Sequence, residues 1–363
     1  LYAWPASIAM VLFTVMFIVV LRWVVMPFKT KEGVYSVHSW FYVRKWVVSF
    51  ATELTLDTLS SLYATLYMRT WYRLMGAKIG KDSEISASLS GRFDLVEIGD
   101  KCFVADEVTV ADEEVRRGWI HLKKVRTGSR VFLGNSGVLP PGSDIPDGVL
   151  IGIKSRPPSN EELSPNDTWF GLPPIKFPVR QRFDGGADTW TYEAPFWKKA
   201  ARLFFETMSI SLPTTLTIVA GTWGISFIEG AIRQHHWFTL AWTSILLSCA
   251  IAVLLTAFVI ALKWITMGKY QPTVQPMWSW WAMRTEAVAV IYAGLASQVL
   301  LEHLLGTPFL PWVLRLFGVK FGEGVWLRAM DFTEFDCVEV GSFVSINYGS
   351  ALQTHLYEDR VMK

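Results

Sequence analysis

Two stretches of this 363-residue chain occur twice, at the same separation. The sequence RLMGAKIG at 73–80 returns as RLFGVKFG at 315–322, and FDLVEIG at 93–99 returns as FDCVEVG at 335–341, both 242 positions later. A looser W-x-x-x-R match at 40–44 returns at 280–284, 240 positions later. A repeat that keeps its register decides the architecture before any local pattern does. We therefore predict two copies of one module.

Long apolar runs separate the two copies. Hydrophobic residues make up 51% of the chain and charged residues 18%, with a mean hydropathy of +0.29, which is too apolar for an ordinary soluble protein. A helix of roughly 20 apolar residues crosses a bilayer core. We predict transmembrane helices at 1–28, 204–228 and 237–267. The first is expected to begin upstream of residue 1, so that the chain is a fragment.

Basic residues lie on one side of each predicted span. Lys29 and Lys31 follow the first, Lys198 precedes the second, and Lys263 and Lys269 lie at the end of the third. The positive-inside rule assigns this side to the cytoplasm. We therefore expect an integral protein of the cell membrane, with its modules on the cytoplasmic side and the 229–236 link outside.

Two further apolar segments, 29–75 and 268–316, are interrupted by charged residues such as Glu53, Asp57 and Glu302. A charge at the bilayer centre costs roughly 2.5–3.5 kcal/mol on insertion scales. We expect interfacial helices there, with many of the 18 Trp residues at the headgroup level.

A period of six residues marks the segment between the apolar runs. Leu133, Leu139, Ile145 and Ile151 are each six positions apart. This spacing fits neither a helix nor a simple hairpin, and it is typical of a parallel β-helix in which one aliphatic residue per side points inward. A β-sandwich with polar turns is the alternative. Glycines such as Gly99 are expected where the backbone turns sharply or takes a positive φ.

The predicted order is a left-handed β-helix module at 76–156, a Pro- and Trp-rich strap at 157–203, and the opening of a second module at 317–363 that continues past the end. The fold class is thus a mixed membrane protein. Its left-handed parallel β-helix modules, built from hexapeptide repeats, alternate with transmembrane and interfacial α-helices.

The hexads resemble those of hexapeptide-repeat acyltransferases. With the segments 35–46, 167–174 and 353–363, the whole arrangement resembles the C-terminal region of epsilon-poly-L-lysine synthetases and related nonribosomal-peptide-synthetase-like proteins. That resemblance implies formation of amide bonds. It also implies upstream adenylation and carrier domains of the same polypeptide as partners, besides the lipid bilayer and an amino-acid or peptidyl substrate.

The same resemblance implies that no cofactor binds directly and that a phosphopantetheine thioester on the carrier donates the acyl group; acetyl-CoA is the alternative. Net charge of +2 gives no indication of nucleic-acid binding. The three cysteines, Cys102, Cys249 and Cys337, lack metal-ligand spacing, so neither a metal site nor a disulfide is expected.

Acyltransferases of this type commonly use a histidine as general base, and imidazole titrates near neutral pH. His121 and His355 each precede a Leu and follow the repeated Val-Glu-x-Gly. If the first copy carries an insertion at 113–120, the two histidines are equivalent. The remaining four, His38, His235, His236 and His303, lie near the membrane or on the outer link.

His355 is the better candidate because its neighbours Glu358, Asp359 and Arg360 are able to orient the ring or bind an acidic group. His121 is followed by two lysines, which lower the basicity of an imidazole. The alternative for both is a corner pair with a solvated ring. Asp112 and Glu113 belong to an acidic run that either faces solvent or attracts a basic acceptor.

Asn135 and Ser136, on a predicted coil corner, are candidates for contact with the pantetheine arm of a carrier. Three functions stay open: a carrier-dependent acyl or aminoacyl transferase region, a noncatalytic scaffold that presents the carrier or the growing chain, and a stand-alone membrane O- or N-acetyltransferase that uses acetyl-CoA.

Overall fold

The computed structural model describes residues 2–58, 60–89, 93–178, 188–233, 237–358 and 360–363. The chain divides into two compact units. We call residues 10–194 the first unit, and residues 1–9 with 195–363 the second unit. Each unit contains one copy of the repeated stretches.

Helices form most of the apolar runs. The α-helices are α1 (Ala3–Val25), α2 (Trp40–Thr58), α3 (Leu66–Met75), α4 (Asp188–Thr191), α5 (Phe196–Arg233), α6 (Trp237–Thr266), α7 (Trp280–Ile291) and α8 (Phe309–Phe317). A π-helical segment, Tyr292–Ser297, continues α7. Within the described residues, α1, α5 and the Leu240–Thr266 part of α6 are long and apolar enough to cross a membrane. Helix α5 begins before the predicted span at 204, so the end of the predicted strap is helical.

The first unit also contains short strands. They are β1 (Gly33–Ser36), β2 (Lys78–Ile79), β3 (Glu84–Ile85), β4 (Val96–Ile98), β5 (Phe103–Val104), β6 (Thr109–Val110), β7 (Glu114–Arg116), β8 (Trp119–Leu122), β9 (Val125–Thr127), β10 (Phe132–Leu133), β11 (Val138–Leu139), β12 (Asp144–Ile145), β13 (Leu150–Ile151), β14 (Thr168–Phe170) and β15 (Ile175–Phe177).

Most strands of the first unit stack into three parallel sheets, with orders β3-β5-β10-β13-β14, β2-β4-β9-β12 and β6-β11, whereas β1, β8 and β7 form an antiparallel sheet. From β9 to β13 successive strands belong to different sheets, so the backbone there winds as a three-sided coil. Leu133, Leu139, Ile145 and Ile151 are each only 1% exposed. The six-residue period therefore does mark the inward-facing positions, as predicted.

The coil extends beyond residue 156, where the sequence pattern placed its end. Strand β14 pairs in parallel with β13, and β15 then pairs antiparallel with β14. The first part of the predicted strap is thus a further coil strand. Its hexad signal is weak because Pro-rich turns interrupt the period.

The glycine at position 99 has a cause different from the predicted one. Gly99 does not take a positive φ, but a Cβ there would overlap the carbonyl oxygen of Gly128 in the next coil turn. Gly128 is in turn closely approached by the backbone of Asp147. Close stacking of successive turns, rather than a sharp turn, excludes side chains at these positions.

The second unit repeats this local structure. Its strands are β16 (Gln275–Pro276), β17 (Lys320–Phe321), β18 (Trp326–Leu327), β19 (Glu339–Val340), β20 (Ser345–Ile346), β21 (Tyr357–Glu358) and β22 (Val361–Met362). The β17–β19 pairing has the register of β2–β4, and β18–β20 that of β3–β5, each 242 positions later. Helices α3 and α8 both end at a left-handed glycine, Gly76 and Gly318.

A buried ion pair links the long apolar helix to the coil in each copy. In the first unit Arg22 of α1 pairs with Asp94 at 2.5 Å, and Asp94 also accepts from the backbone N–H of Thr30 at 2.9 Å. In the second unit Lys263 of α6 pairs with Asp336 at 2.6 Å, and Tyr270 supplies the backbone N–H at 3.0 Å. The same carboxylate thus fixes the helix end and the segment that follows it in both copies.

Candidate functional site

His355 lies in the second unit, just before a hairpin of β21 and β22 that adds to β16. Its Nδ1 lies 2.8 Å from Oε2 of Glu334, and the two side chains are 17% and 8% exposed. The two residues are 21 positions apart in sequence. The fold therefore brings an imidazole onto a nearly buried carboxylate.

Hydroxyl groups also bond to the Glu334 carboxylate. Thr354 Oγ1 donates to Oε2 at 2.6 Å, and Thr285 Oγ1 of α7 donates to Oε1 at 3.2 Å. Thr285 is itself within 3.0 Å of the Tyr270 hydroxyl. Glu334 adopts a left-handed backbone conformation, with φ of 35°, which is uncommon for a residue other than glycine.

The pKa of Glu334 lies below its ordinary value. Burial alone raises the pKa of a carboxyl, but the hydrogen bonds and charge from His355, together with the bond from Thr354, outweigh burial here. An ionised Glu334 has only acceptor atoms, so His355 must donate from Nδ1. When the ring is neutral, the basic lone pair is therefore on Nε2, the arrangement used by a histidine general base.

A tyrosine contacts the same imidazole. The ring of Tyr357 meets that of His355 edge to face, with centroids 5.5 Å apart and an interplanar angle of 77°. The Tyr357 hydroxyl donates to Oε1 of Glu286 at 2.5 Å. His355 thus has a carboxylate at one nitrogen and a tyrosine against its ring.

The residues that the sequence placed beside His355 have other positions. Glu358 pairs with Lys363 at 2.7 Å. Arg360 is only 1% exposed and is not a surface group. Asp359 lies outside the described residues. The sequence analysis did not single out Glu334. The corresponding residue of the first copy is Arg92, and this difference in charge between equivalent positions could have indicated Glu334.

The predicted equivalence of His121 and His355 is wrong, because the first copy has no insertion. Val115 pairs with Ile120 in the β7–β8 hairpin as Tyr357 pairs with Met362, exactly 242 positions later. In this register His355 corresponds to Glu113, and His121 corresponds to the last residue, 363. His121 lies half-buried on β8, opposite Val34 and Glu114.

An ion pair occupies the corresponding place in the first unit. Glu113 Oε1 lies 2.6 Å from Nζ of Lys45, whose side chain is only 4% exposed. Lys45 on α2 corresponds to Thr285 on α7, 240 positions later, as expected from the matching helix starts. Glu113 is therefore a structural partner of a buried lysine. Asp112, next to it, is exposed and accepts from the Glu113 backbone N–H.

Asn135 and Ser136 do lie on a coil corner, as predicted. The backbone carbonyl of Asn135 accepts from Lys154, and the Ser136 hydroxyl lies 2.8 Å from Glu107. Of the other histidines, His303 lies on a 3₁₀ turn, whereas His235 and His236 are outside the described residues.

The first unit has an open groove of about 930 Å³ along its β2-β4-β9-β12 sheet. Gly80, Gly99 and Gly128 line it. Burial raises the pKa of a carboxyl, but ion pairs with Lys124 and Lys78 lower the pKa of Glu97 in this groove to about 2. The groove thus holds a firmly ionised carboxylate among cations.

The described coil and helices define a class of protein, a hexad-built parallel β-coil joined to membrane-length helices. No protein-family model matches the chain. The chain is 37% identical over 359 residues to the delta-poly-L-ornithine synthetase of Acinetobacter baumannii (strain AB307-0294), which covers 99% of this chain and 27% of that protein. The chain thus spans about a quarter of its curated relative. The resemblance to poly-amino-acid synthetases that the sequence indicated is confirmed.

Two solved structures are similar to part of the chain. A maltose O-acetyltransferase from Clostridium difficile 630 has 17% identity and a TM-score of 0.31, over 42% of this chain and 94% of that protein. A galactoside acetyltransferase in complex with coenzyme A has 17% identity and a TM-score of 0.30, over 46% of this chain and 92% of that protein.

Proposed function

We propose that this chain is a membrane-associated transfer region of a poly-amino-acid synthetase, and that it forms amide bonds from a thioester-bound aminoacyl donor and an amine acceptor. The observation that carries the proposal is the 2.8 Å contact between His355 Nδ1 and the nearly buried Glu334. Similarity to a poly-L-ornithine synthetase over almost the whole chain supports it.

In the proposed reaction His355 Nε2 accepts a proton from the acceptor amine as its nitrogen attacks the thioester carbonyl carbon. A C–N bond forms, the C–S bond breaks, and the thiol leaves with a proton returned by His355. Glu334 holds the required tautomer and stabilises the imidazolium that forms. The donor is proposed to be a phosphopantetheine thioester on an upstream carrier domain, with acetyl-CoA as the alternative donor.

We propose that the second copy performs this chemistry and the first does not. The first copy has Lys45 and Glu113 at the positions of Thr285 and His355, and the two form an ion pair, so no imidazole stands there. We further propose that the coils are left-handed, as in the hexapeptide-repeat class. Both coils are proposed to face the cytoplasm, where the basic helix ends are expected.

The test uses the full-length synthetase that contains this chain, with His355→Ala and with His121→Ala as the matched control. Removal of a general base lowers turnover by roughly 10²–10⁴-fold. We expect that loss for His355→Ala and turnover within about twofold of wild type for His121→Ala. Full turnover of His355→Ala would favour the noncatalytic scaffold. Turnover with acetyl-CoA as the only acyl donor would favour the stand-alone acetyltransferase.

A further inference from the structure

Two consecutive residues of α7 support His355 from different sides. Thr285 bonds to Glu334, which holds the Nδ1 of His355. Glu286 accepts from the hydroxyl of Tyr357, whose ring contacts that of His355. The hydrogen bond at Nδ1 restrains one end of the imidazole, and the contact with the Tyr357 ring restrains it a second time.

Glu286 is in turn next to an arginine of the long helix α5. Nη2 of Arg202 lies 3.9 Å from Oε2 of Glu286, and its Nε donates to Glu206 at 2.8 Å. The Arg202 guanidinium lies 5.1 Å from the ring of Trp278, and its side chain is 2% exposed. The position of Arg202 is therefore set by a carboxylate, an aromatic ring and burial together.

The length of α5 explains how a membrane helix reaches this place. Its 38 residues span about 57 Å at 1.5 Å per residue, well beyond a hydrocarbon core of roughly 30 Å. Arg202 lies in the second turn, near Lys198 and before the most apolar part. This end of α5 is thus free of the bilayer core and able to contribute polar side chains.

The first copy shows that these polar groups are not needed for the module to fold. Trp46 corresponds to Glu286, and Val115 corresponds to Tyr357. Both are exposed apolar residues in the first unit, where Glu113 replaces the histidine. Tyr357 and Glu286 are therefore present in the copy that has the histidine and absent from the copy that lacks it.

We propose that Tyr357 and Glu286 are positioning residues for His355, and that Arg202 makes the membrane helix α5 part of this site. The inference rests on the proposed function of His355. Its mechanism is orientational: the Glu286 carboxylate fixes the Tyr357 hydroxyl, and the Tyr357 ring fixes the direction in which His355 Nε2 points. Misplacement of a catalytic group by about 1 Å is enough to cost on the order of 10²-fold in rate.

The experiment measures kcat, KM and the pH profile of the full-length synthetase carrying Tyr357→Phe, Glu286→Gln or Arg202→Met. Tyr357→Phe removes one oxygen and keeps the ring. For each variant we expect kcat to fall about tenfold with KM unchanged. We also expect a shift in the apparent pKa of the basic group that the pH profile of kcat reports. The matched control is Val115→Ala at the corresponding position of the first copy, which should keep kcat within about twofold.

A double variant separates positioning from a general structural role. If Tyr357 acts through His355, Tyr357→Phe adds no further loss to His355→Ala. The positioning role alone would be overturned if His355→Ala lowers kcat but Tyr357→Phe does not. It would also be overturned if Tyr357→Phe lowers kcat by the same factor in the His355→Ala background as in the wild type. Full turnover of His355→Ala would overturn the proposed function and, with it, the positioning role.

Discussion

The buried pair of Lys263 and Asp336 gives the sharpest test of how the helices are joined to the coils. The two side chains are 0% and 5% exposed, and their charged atoms lie 2.6 Å apart. Asp336→Asn keeps the shape of the carboxylate but leaves a buried ammonium without its counter-charge. Breaking one partner of a buried pair costs about 3–5 kcal/mol, whereas an exposed pair is worth about 0–1 kcal/mol.

For a unit of this size a loss of 1 kcal/mol lowers Tm by about 2–4 °C, so Asp336→Asn should lower Tm by about 10 °C. Tryptophan fluorescence of the purified chain in detergent, followed on heating, reports the transition. The matched control is Glu339→Gln, whose partner Lys320 lies 3.1 Å away with both side chains mostly exposed. It should move Tm by less than about 2 °C.

Replacing both charges decides whether the loss comes from the unpaired ammonium. The double variant Lys263→Met with Asp336→Asn removes the charge and keeps an apolar stem at the helix end. Such replacements are often neutral, so most of the lost stability should return. A small Tm change for Asp336→Asn, or a double variant less stable than the single one, would refute the reasoning.

Three further predictions follow from the two copies. Glu113→Gln should lower the free energy of unfolding by about 2 kcal/mol, because Lys45 loses its charged partner, and leave turnover unchanged; a fall in turnover would place Glu113 in the site. Gly99→Ala should cost about 1–3 kcal/mol in urea unfolding, since its Cβ meets Gly128, whereas Gly341→Ala, with open space around its Cβ, should be neutral; equal losses would contradict this. The pKa of Glu334 is lower in the folded chain than the value of about 4.3 in the unfolded chain, so its ionised form stabilises the fold above that pH, and this stability is lost as the pH falls through the folded pKa. Glu334→Gln should therefore flatten the acid side of the curve of Tm against pH. An unchanged curve would count against this role of Glu334.

Much of the architecture was readable from sequence because it is periodic. The six-residue spacing of Leu133, Leu139, Ile145 and Ile151 comes from a geometry that repeats every coil side, so each turn leaves the same mark. The long apolar helices leave an equally local signal in their composition. The end of the coil near β14 was not readable, because Pro-rich turns break the period there.

For the candidate site, the sequence revealed less than it did for the fold. The sequence by itself showed two stretches that recur at one separation, and it predicted His355 as the best candidate base. Only the tertiary structure decided that Glu334 and Tyr357 contact that ring, and that Glu286 accepts a hydrogen bond from Tyr357. It also decided the register in which Glu113, and not His121, is the counterpart of His355. Partner choice depends on which distant segments pack together, and hairpin register depends on backbone hydrogen bonds that any residue type is able to make. Neither leaves a local pattern in the sequence.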